Sequence, residues 1–267
     1  MLLRSTPYPW IFGITAVLMA GCSQAQDSAQ PAALQSLQEQ GIDIIQEFEV
    51  GNGLRGFAGA AGDQPIGIYV APDGSAIVGT RIAADGSRID DGRLQELVAQ
   101  PLAERTWAQL DKAAWVQDGE LDAPRVVYAF SDPNCPYCNQ FWQAARPWVD
   151  AGKVQLRHVM VGMLRADSAT KAAAILDAAD STAALTQNET RFADGGIAPA
   201  KAVSAATQQR LDDNQRLMVG LGFRGTPGIV ARGSDGLLQK LNGLPRPDAL
   251  LELLGPRPTT EAVLDGR

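Results

Sequence analysis

In the first part of the chain, apolar positions come in short runs of strand length. Residues 44–50, 54–58, 66–71 and 76–82 are apolar or alternating, and Gly, Asp and Pro punctuate them, with turns at Pro72-Asp73-Gly74 and Asp85-Gly86. A small β-rich unit is expected there, entered through a short helix over 34–40. Between 92 and 116 the spacing becomes helical: Leu94, Leu97, Val98 and Leu102, then Trp107, Leu110 and Trp115. This predicts a helical connector, kinked or broken at Pro101. The run 125–130 is β-branched and aromatic and reads as a buried strand. A helix over 139–150 follows, carrying Phe141, Trp142 and Trp148 and kinked at Pro147, and then a second strand over 154–163. Residues 167–221 read as several helices, interrupted near Gly195-Gly196, the last ending at Gly220 to Gly222. A closing hairpin is expected from 228–231 and 236–241, and a final helix over 248–254. No internal repeat is visible.

The first residues break this pattern. Arg4 and the apolar run 10–19 read as an export signal, too short to span a bilayer as a mature helix. Two processing routes compete. Ser23-Gln24-Ala25 offers small residues for cleavage after Ala25, whereas Met19-Ala20-Gly21-Cys22 resembles a lipoprotein box that would leave Cys22 as a lipidated N-terminus. A soluble periplasmic product is the expectation, because such boxes usually carry Leu where Met19 stands. In either case the folded part faces an oxidising compartment. Residues 25–33, mostly Gln, Ser, Ala and Pro, read as a tether.

Composition narrows the function. The 267 residues are 45% hydrophobic and 20% charged, as in ordinary folded proteins, and the net charge of −7 with no Lys/Arg cluster argues against nucleic acid as a partner. Of three cysteines, Cys22 is lost or lipidated, which leaves Cys135 and Cys138. A bridge between residues three apart constrains the unfolded chain very little, so redox work is the better reason for the pair.

The pair stands where the strand over 125–130 ends and a helix begins. Backbone N–H groups and the positive helix end can stabilise a thiolate on Cys135, the more exposed residue, with Cys138 one turn later and nearer the core. Cys135 would then attack a client sulfur and Cys138 would release the mixed disulfide. Pro136 suits a first helical turn. Tyr137 has no cationic form, so it should lower the Cys135 pKa less than a histidine would.

Other signals weigh less. Zinc lacks ligands, since only Cys135, Cys138 and the single His158 are available, and His158 is expected to be core-packed or solvated. The sequence from Gly51 to Gly56 fits G-x-G-x-x-G, but no helix pattern follows, and a glycine-rich hairpin is expected. Trp107, Trp115, Trp142 and Trp148 are assigned to packing. The pairs Asp90-Asp91 and Asp212-Asp213 are assigned to solvated faces or helix starts.

The stretch Phe130-Ser131-Asp132-Pro133-Asn134-Cys135-Pro136-Tyr137-Cys138, with Gln140-Phe141-Trp142 and Ala145-Arg146-Pro147-Trp148-Val149-Asp150, resembles the periplasmic disulfide isomerases of the DsbC/DsbG family. Gln40-Gly41-Ile42, Pro72-Asp73-Gly74 and Gly152-Lys153-Val154-Gln155-Leu156-Arg157 extend the likeness over about residues 34–254, while Met160, Met163 and the central helices follow it loosely. The resemblance implies an α/β thioredoxin-like fold with inserted helices over 121–256. An α+β dimerisation domain over 26–90 and a linker helix over 91–120 precede it, and a tail over 257–267 follows. It implies a V-shaped homodimer, and a cis-proline loop at Thr226-Pro227 where the residues alone would also allow a turn proline. Pro136, Tyr137, Thr226 and Pro227 would meet the client. It further implies clients with disulfides or oxidised cysteines, a DsbD-type membrane reductase as partner, chaperone activity, and no cofactor beyond the Cys135–Cys138 pair. A disulfide-donating oxidase of the DsbA kind and a holdase with secondary redox activity are the competing readings.

Overall fold

A computed structural model gives the structure of residues 30–62 and 64–258. The export signal, Cys22 and the last nine residues lie outside the described residues.

The chain enters through α1 (Ala32–Glu39) into a four-stranded antiparallel meander: β1 (Ile42–Glu49), β2 (Arg55–Ala61), β3 (Gln64–Val70) and β4 (Ala76–Gly79), paired in that order. Alternation along β2 sends Phe57 to one face, packed with Leu34 of α1, Ile68 and Val70. The intervening Ala58 and Ala60 face the other side, against Leu94 and Val98 of α2 (Asp91–Lys112). The glycine-rich stretch is the β1–β2 turn: Gly51, Asn52 and Gly53 all have positive φ, and Glu49 pairs with Arg55 across it.

Two expectations need correction in α2, and a third holds in one of its two forms. The helix runs unbroken for 22 residues through Pro101, so the proline does not end it. Its two ends are held by packing, Leu94 and Val98 against the first sheet and Leu110 against the second, and this outweighs one lost backbone bond. The helix stops at Lys112, and Trp115 and Val116 belong to a strand, β5 (Trp115–Asp118), whose burial alternates. Asp90 does stand at the helix start, but it is buried: its carboxylate accepts from Tyr69 Oη at 2.8 Å and from Arg81 Nε and Nη2 at 2.5 and 2.7 Å.

The second sheet has the order β5-β7-β6-β8-β9, with β6 (Arg125–Ser131) and β7 (Val154–Met160) parallel and β8 (Gly228–Arg232) and β9 (Leu238–Asn242) antiparallel to their neighbours. β6 lies at its centre, which is why its side chains are apolar on both faces. Val127 and Ala129 pack with Phe141, Ala145 and Trp148 of α3 (Pro136–Val149) and with Leu253 and Leu254 of α7 (Pro247–Leu254). Tyr128 and Phe130 face Leu110 of α2, Met218 of α6 (Ala205–Gly220) and Phe223. Two further helices, α4 (Ser168–Leu176) and α5 (Ser181–Thr190), close over Val116 and Met160. Among the described residues no helix is long and apolar enough to cross a membrane.

Candidate active site

β6 ends at Ser131, and the Asp132-Pro133-Asn134 turn delivers Cys135 to the N-cap of α3. Cys135 Sγ accepts from the Cys138 backbone N–H at 3.2 Å, one of the helix-start donors that has no carbonyl partner within the helix. Pro136 occupies the first helical position, where a missing N–H costs nothing. On the open side, the Cys135 thiol donates to the Thr226 carbonyl at 3.3 Å, and the Thr226–Pro227 peptide bond is cis. The sheet brings these segments together, because Phe130, near the end of β6, pairs with Gly228 at the start of β8.

The two cysteines are unbridged and unequal. The hydrogen bond with Cys138 lowers the Cys135 pKa most, burial opposes it, and the Thr226 hydroxyl and the Cys138 and Tyr137 backbone N–H groups add to the lowering, so it falls to about 7. Burial, and then the neighbouring Cys135, push the Cys138 thiol well above its ordinary value. Cys135 is therefore suited to act as a thiolate and Cys138 to hold its proton until a partner draws it off.

One expectation fails here in part. Cys135 is not at an exposed end: it is only 2% exposed, because the Thr226-Pro227 loop and the 132–134 turn close over it. The open neighbours are Pro136 and Tyr137. Thr226 is half-buried, and apart from the cysteine sulfurs its hydroxyl oxygen has no hydrogen-bond partner among the described residues.

Several residues support the turn in ways that sequence spacing does not show. Asp132, fully buried, accepts from the Asn134 backbone N–H at 2.9 Å, the Ser168 hydroxyl at 2.8 Å and the Met163 and Leu164 N–H groups at 2.8 and 3.0 Å. Lys171, also buried, donates to Asn134 Oδ1 at 2.9 Å and Gly195 O at 2.8 Å and pairs with Asp167 at 3.1 Å. Asn139 donates to both the backbone carbonyl and Oε2 of Glu189 at 2.8 Å. Burial raises the Glu189 pKa against the opposing pull of Asn139, His158 and Asn188. The one sequence signal was Lys171 itself, a lone cation in the alanine-rich face of α4.

The set-aside residues fall as follows. His158 is buried in β7, with Nδ1 3.1 Å from Ser131 Oγ. Trp142 and Trp148 are core residues, while Trp107 and Trp115 are half-buried beneath the guanidinium groups of Arg232 and Arg157. Asp212 and Asp213 are exposed on α6. Among the described residues no three His, Cys, Asp or Glu side chains cluster as metal ligands. Grooves of about 560 and 740 Å3 run along α6, away from the cysteines. The Cys135 residue itself is held between the 132–134 turn, through its N–H to Asp132 O at 2.9 Å, and the Thr226 carbonyl.

Comparison with known proteins shows what the chain is similar to. The model of a thioredoxin-like domain family matches residues 117–256. The chain is 43% identical over 246 residues to the thiol:disulfide interchange protein DsbG of Pseudomonas aeruginosa, covering 92% of this chain and 95% of that one. It is 39% identical over 230 residues to the protein of the same name from Escherichia coli K12, covering 84% and 91%. Among solved structures, the catalytic domain of Proteus mirabilis ScsC is similar at 22% identity with a TM-score of 0.48, covering 62% of this chain and 98% of that one.

Proposed function

The chain belongs to the DsbG family of thiol:disulfide interchange proteins, and from that premise we propose that Cys135 is its attacking sulfur and Cys138 its resolving sulfur. The inequality of the two thiols carries this reading, with Cys135 lowered to about 7 and Cys138 raised. The Cys135 thiolate attacks one sulfur of a client disulfide. A mixed disulfide forms, and the other client sulfur leaves as a thiolate that takes up a proton. If a client thiol then attacks the mixed disulfide, Cys135 is released and the client is reshuffled with no net electron transfer. If Cys138 gives up its proton and attacks Cys135 instead, the client leaves reduced by two electrons, and Cys135 and Cys138 are left bridged.

The same thiolate can attack the sulfur of a sulfenylated client cysteine, expelling hydroxide that leaves as water, before Cys138 resolves the product. The neutral Thr226 hydroxyl, buried beside both sulfurs without another partner, is suited to donate a hydrogen bond to the thiolate. The cis Thr226–Pro227 segment, with Pro136 and Tyr137, forms the surface a client would meet. Only the sulfur pair takes part in the redox step, so no other cofactor is required.

The periplasm is the compartment that fits this chemistry, with a membrane reductase of the DsbD type returning the pair to the dithiol. Trapping with an alkylating mass tag in cells tests the direction of flow. The pair is expected to be mostly reduced and to become oxidised when the membrane reductase is removed; a pair oxidised in both backgrounds would make the protein a disulfide donor. The N-terminal meander, which leaves Ile77 and Val78 of β4 exposed, supports pairing with a second copy. Light scattering is expected to give twice the chain mass, and the mass of one chain would rule out the dimer.

A further inference from the structure

Between residues 121 and 251 seven large apolar side chains are exposed among the described residues, and four of them lie at the sheet edge that carries Cys135: Met163, Leu164 and Leu244 in loops, and Tyr137 in the first turn of α3. The topology explains the gathering. β6 and β7 run parallel, while β8 is antiparallel to β6 and β9 to β8. The end of β7, the end of β6, the start of β8 and the end of β9 therefore follow one another along a single edge. Met163 and Leu164 follow β7, Cys135 and Tyr137 follow β6, Thr226 and Pro227 precede β8, and Leu244 follows β9.

Both outer loops are pinned by their backbones while their apolar tips face solvent. The Met163 and Leu164 N–H groups donate to Asp132, three residues before the nucleophile. Gly162 lies so close to α4 that a Cβ there would stand 2.7 Å from the Ala169 nitrogen. On the other flank, the Gly243 N–H donates to the Pro227 carbonyl at 2.8 Å and so ties Leu244 to the cis-proline loop.

We infer that Met163 and Leu164 on one side, and Leu244 on the other, form two apolar banks that read the residues flanking the oxidised cysteine of an extended client segment. The inference rests on Cys135 being the attacking sulfur. Neighbouring strands lie about 4.8 Å apart, so the first bank is roughly one spacing from Cys135 and the second roughly two. An extended chain advances about 3.3 Å per residue, which places the favoured apolar side chains roughly two positions to one side of the client cysteine and three to the other. In a well-folded client such residues are buried, so the banks favour unfolded or locally opened chains.

The test uses the reduced full chain and short peptides whose single cysteine is disulfide-linked to mercaptoethanol, with Leu or Ser at the second and third positions on either side. The wild type is expected to reduce the Leu peptides roughly 10-fold faster than the Ser peptides. This ratio should fall toward one in the Met163→Ser/Leu164→Ser/Leu244→Ser variant and persist in Leu121→Ser, an exposed side chain before the start of β6 at the opposite edge. No preference in the wild type, a preference that survives the triple substitution, or an equal loss in Leu121→Ser would overturn the inference. Rates that fall as the concentration of the chain itself rises would give the banks to a second copy and overturn it as well. If the wild type fails to reduce even dithiobis(nitrobenzoate), the role of Cys135 fails; reduction of that reagent without any flank preference defeats the banks alone.

Discussion

Cys135→Ser is expected to lower the rate of disulfide reduction by at least about 1000-fold, because an alcohol has no accessible anion near neutral pH and the remaining Cys138 keeps its proton. The same substitution should remove a titration. In the reduced wild type, alkylation by iodoacetamide is expected to rise with pH and reach half its maximal rate near pH 7, following the thiolate of Cys135. An unperturbed thiol would reach it near 8.5. The sign follows from the direction of the shift: a lowered thiol pKa means that the reactive anion persists to lower pH. Cys135→Ser should show no phase near 7, and the raised Cys138 should react only slowly at higher pH. A phase near 7 that survives Cys135→Ser would assign the low-pKa thiol to Cys138 and reverse the two roles.

Arg146→Leu is expected to destabilise the fold by about 3–5 kcal/mol, measured by urea unfolding with an unchanged m-value. Arg146 on α3 meets Asp118 at the end of β5 through both guanidinium Nη atoms, one at 2.9 Å from Oδ1 and the other in close contact with Oδ2. Asp118 is 4% exposed, so removing the cation leaves a buried carboxylate with only the His158 ring nearby. Burial raises the Asp118 pKa, but His158, 3.4 Å away, and then Arg146 outweigh it and bring the value down to about 2. A carboxyl depressed from 3.8 to about 2 contributes stability that is fully present above about pH 4 and is lost as pH falls through 2, about 2 kcal/mol in all. The acid limb of the wild-type stability curve should carry this step, and Arg146→Leu should reduce it. Adding Asp118→Asn to Arg146→Leu should recover part of the loss, since the stranded charge is then gone. A cost below about 1 kcal/mol for Arg146→Leu would show that the pair does not tie α3 to β5.

What was legible in the sequence was local. The run 125–130 names a strand buried on both faces because its side chains leave no polar side, and the cysteines directly after it mark a strand-to-helix turn. The glycines from 51 to 56 read as a hairpin because no helical period follows them. What escaped depends on distant segments. Pro101 does not break α2 because two separate cores hold the helix on either side of it. Cys135 is buried by a loop some ninety residues further on, which spacing around the motif cannot reveal. Asp132, Lys171, Glu189 and Asp90 look like surface residues by type; each is buried only because partners from other elements meet its polar atoms. The cis-proline loop was reached through family likeness, since Gly225-Thr226-Pro227-Gly228 alone fits a turn equally well.

The most direct test of the two cysteine roles is to mix reduced Cys138→Ala protein with an oxidised client peptide and map the adduct by mass spectrometry after acid quenching. A stable mixed disulfide joining Cys135 to the peptide is the predicted result, since the attacking sulfur is present and the resolving one is gone. An unmodified Cys135, with the client disulfide intact, would contradict the account at its centre.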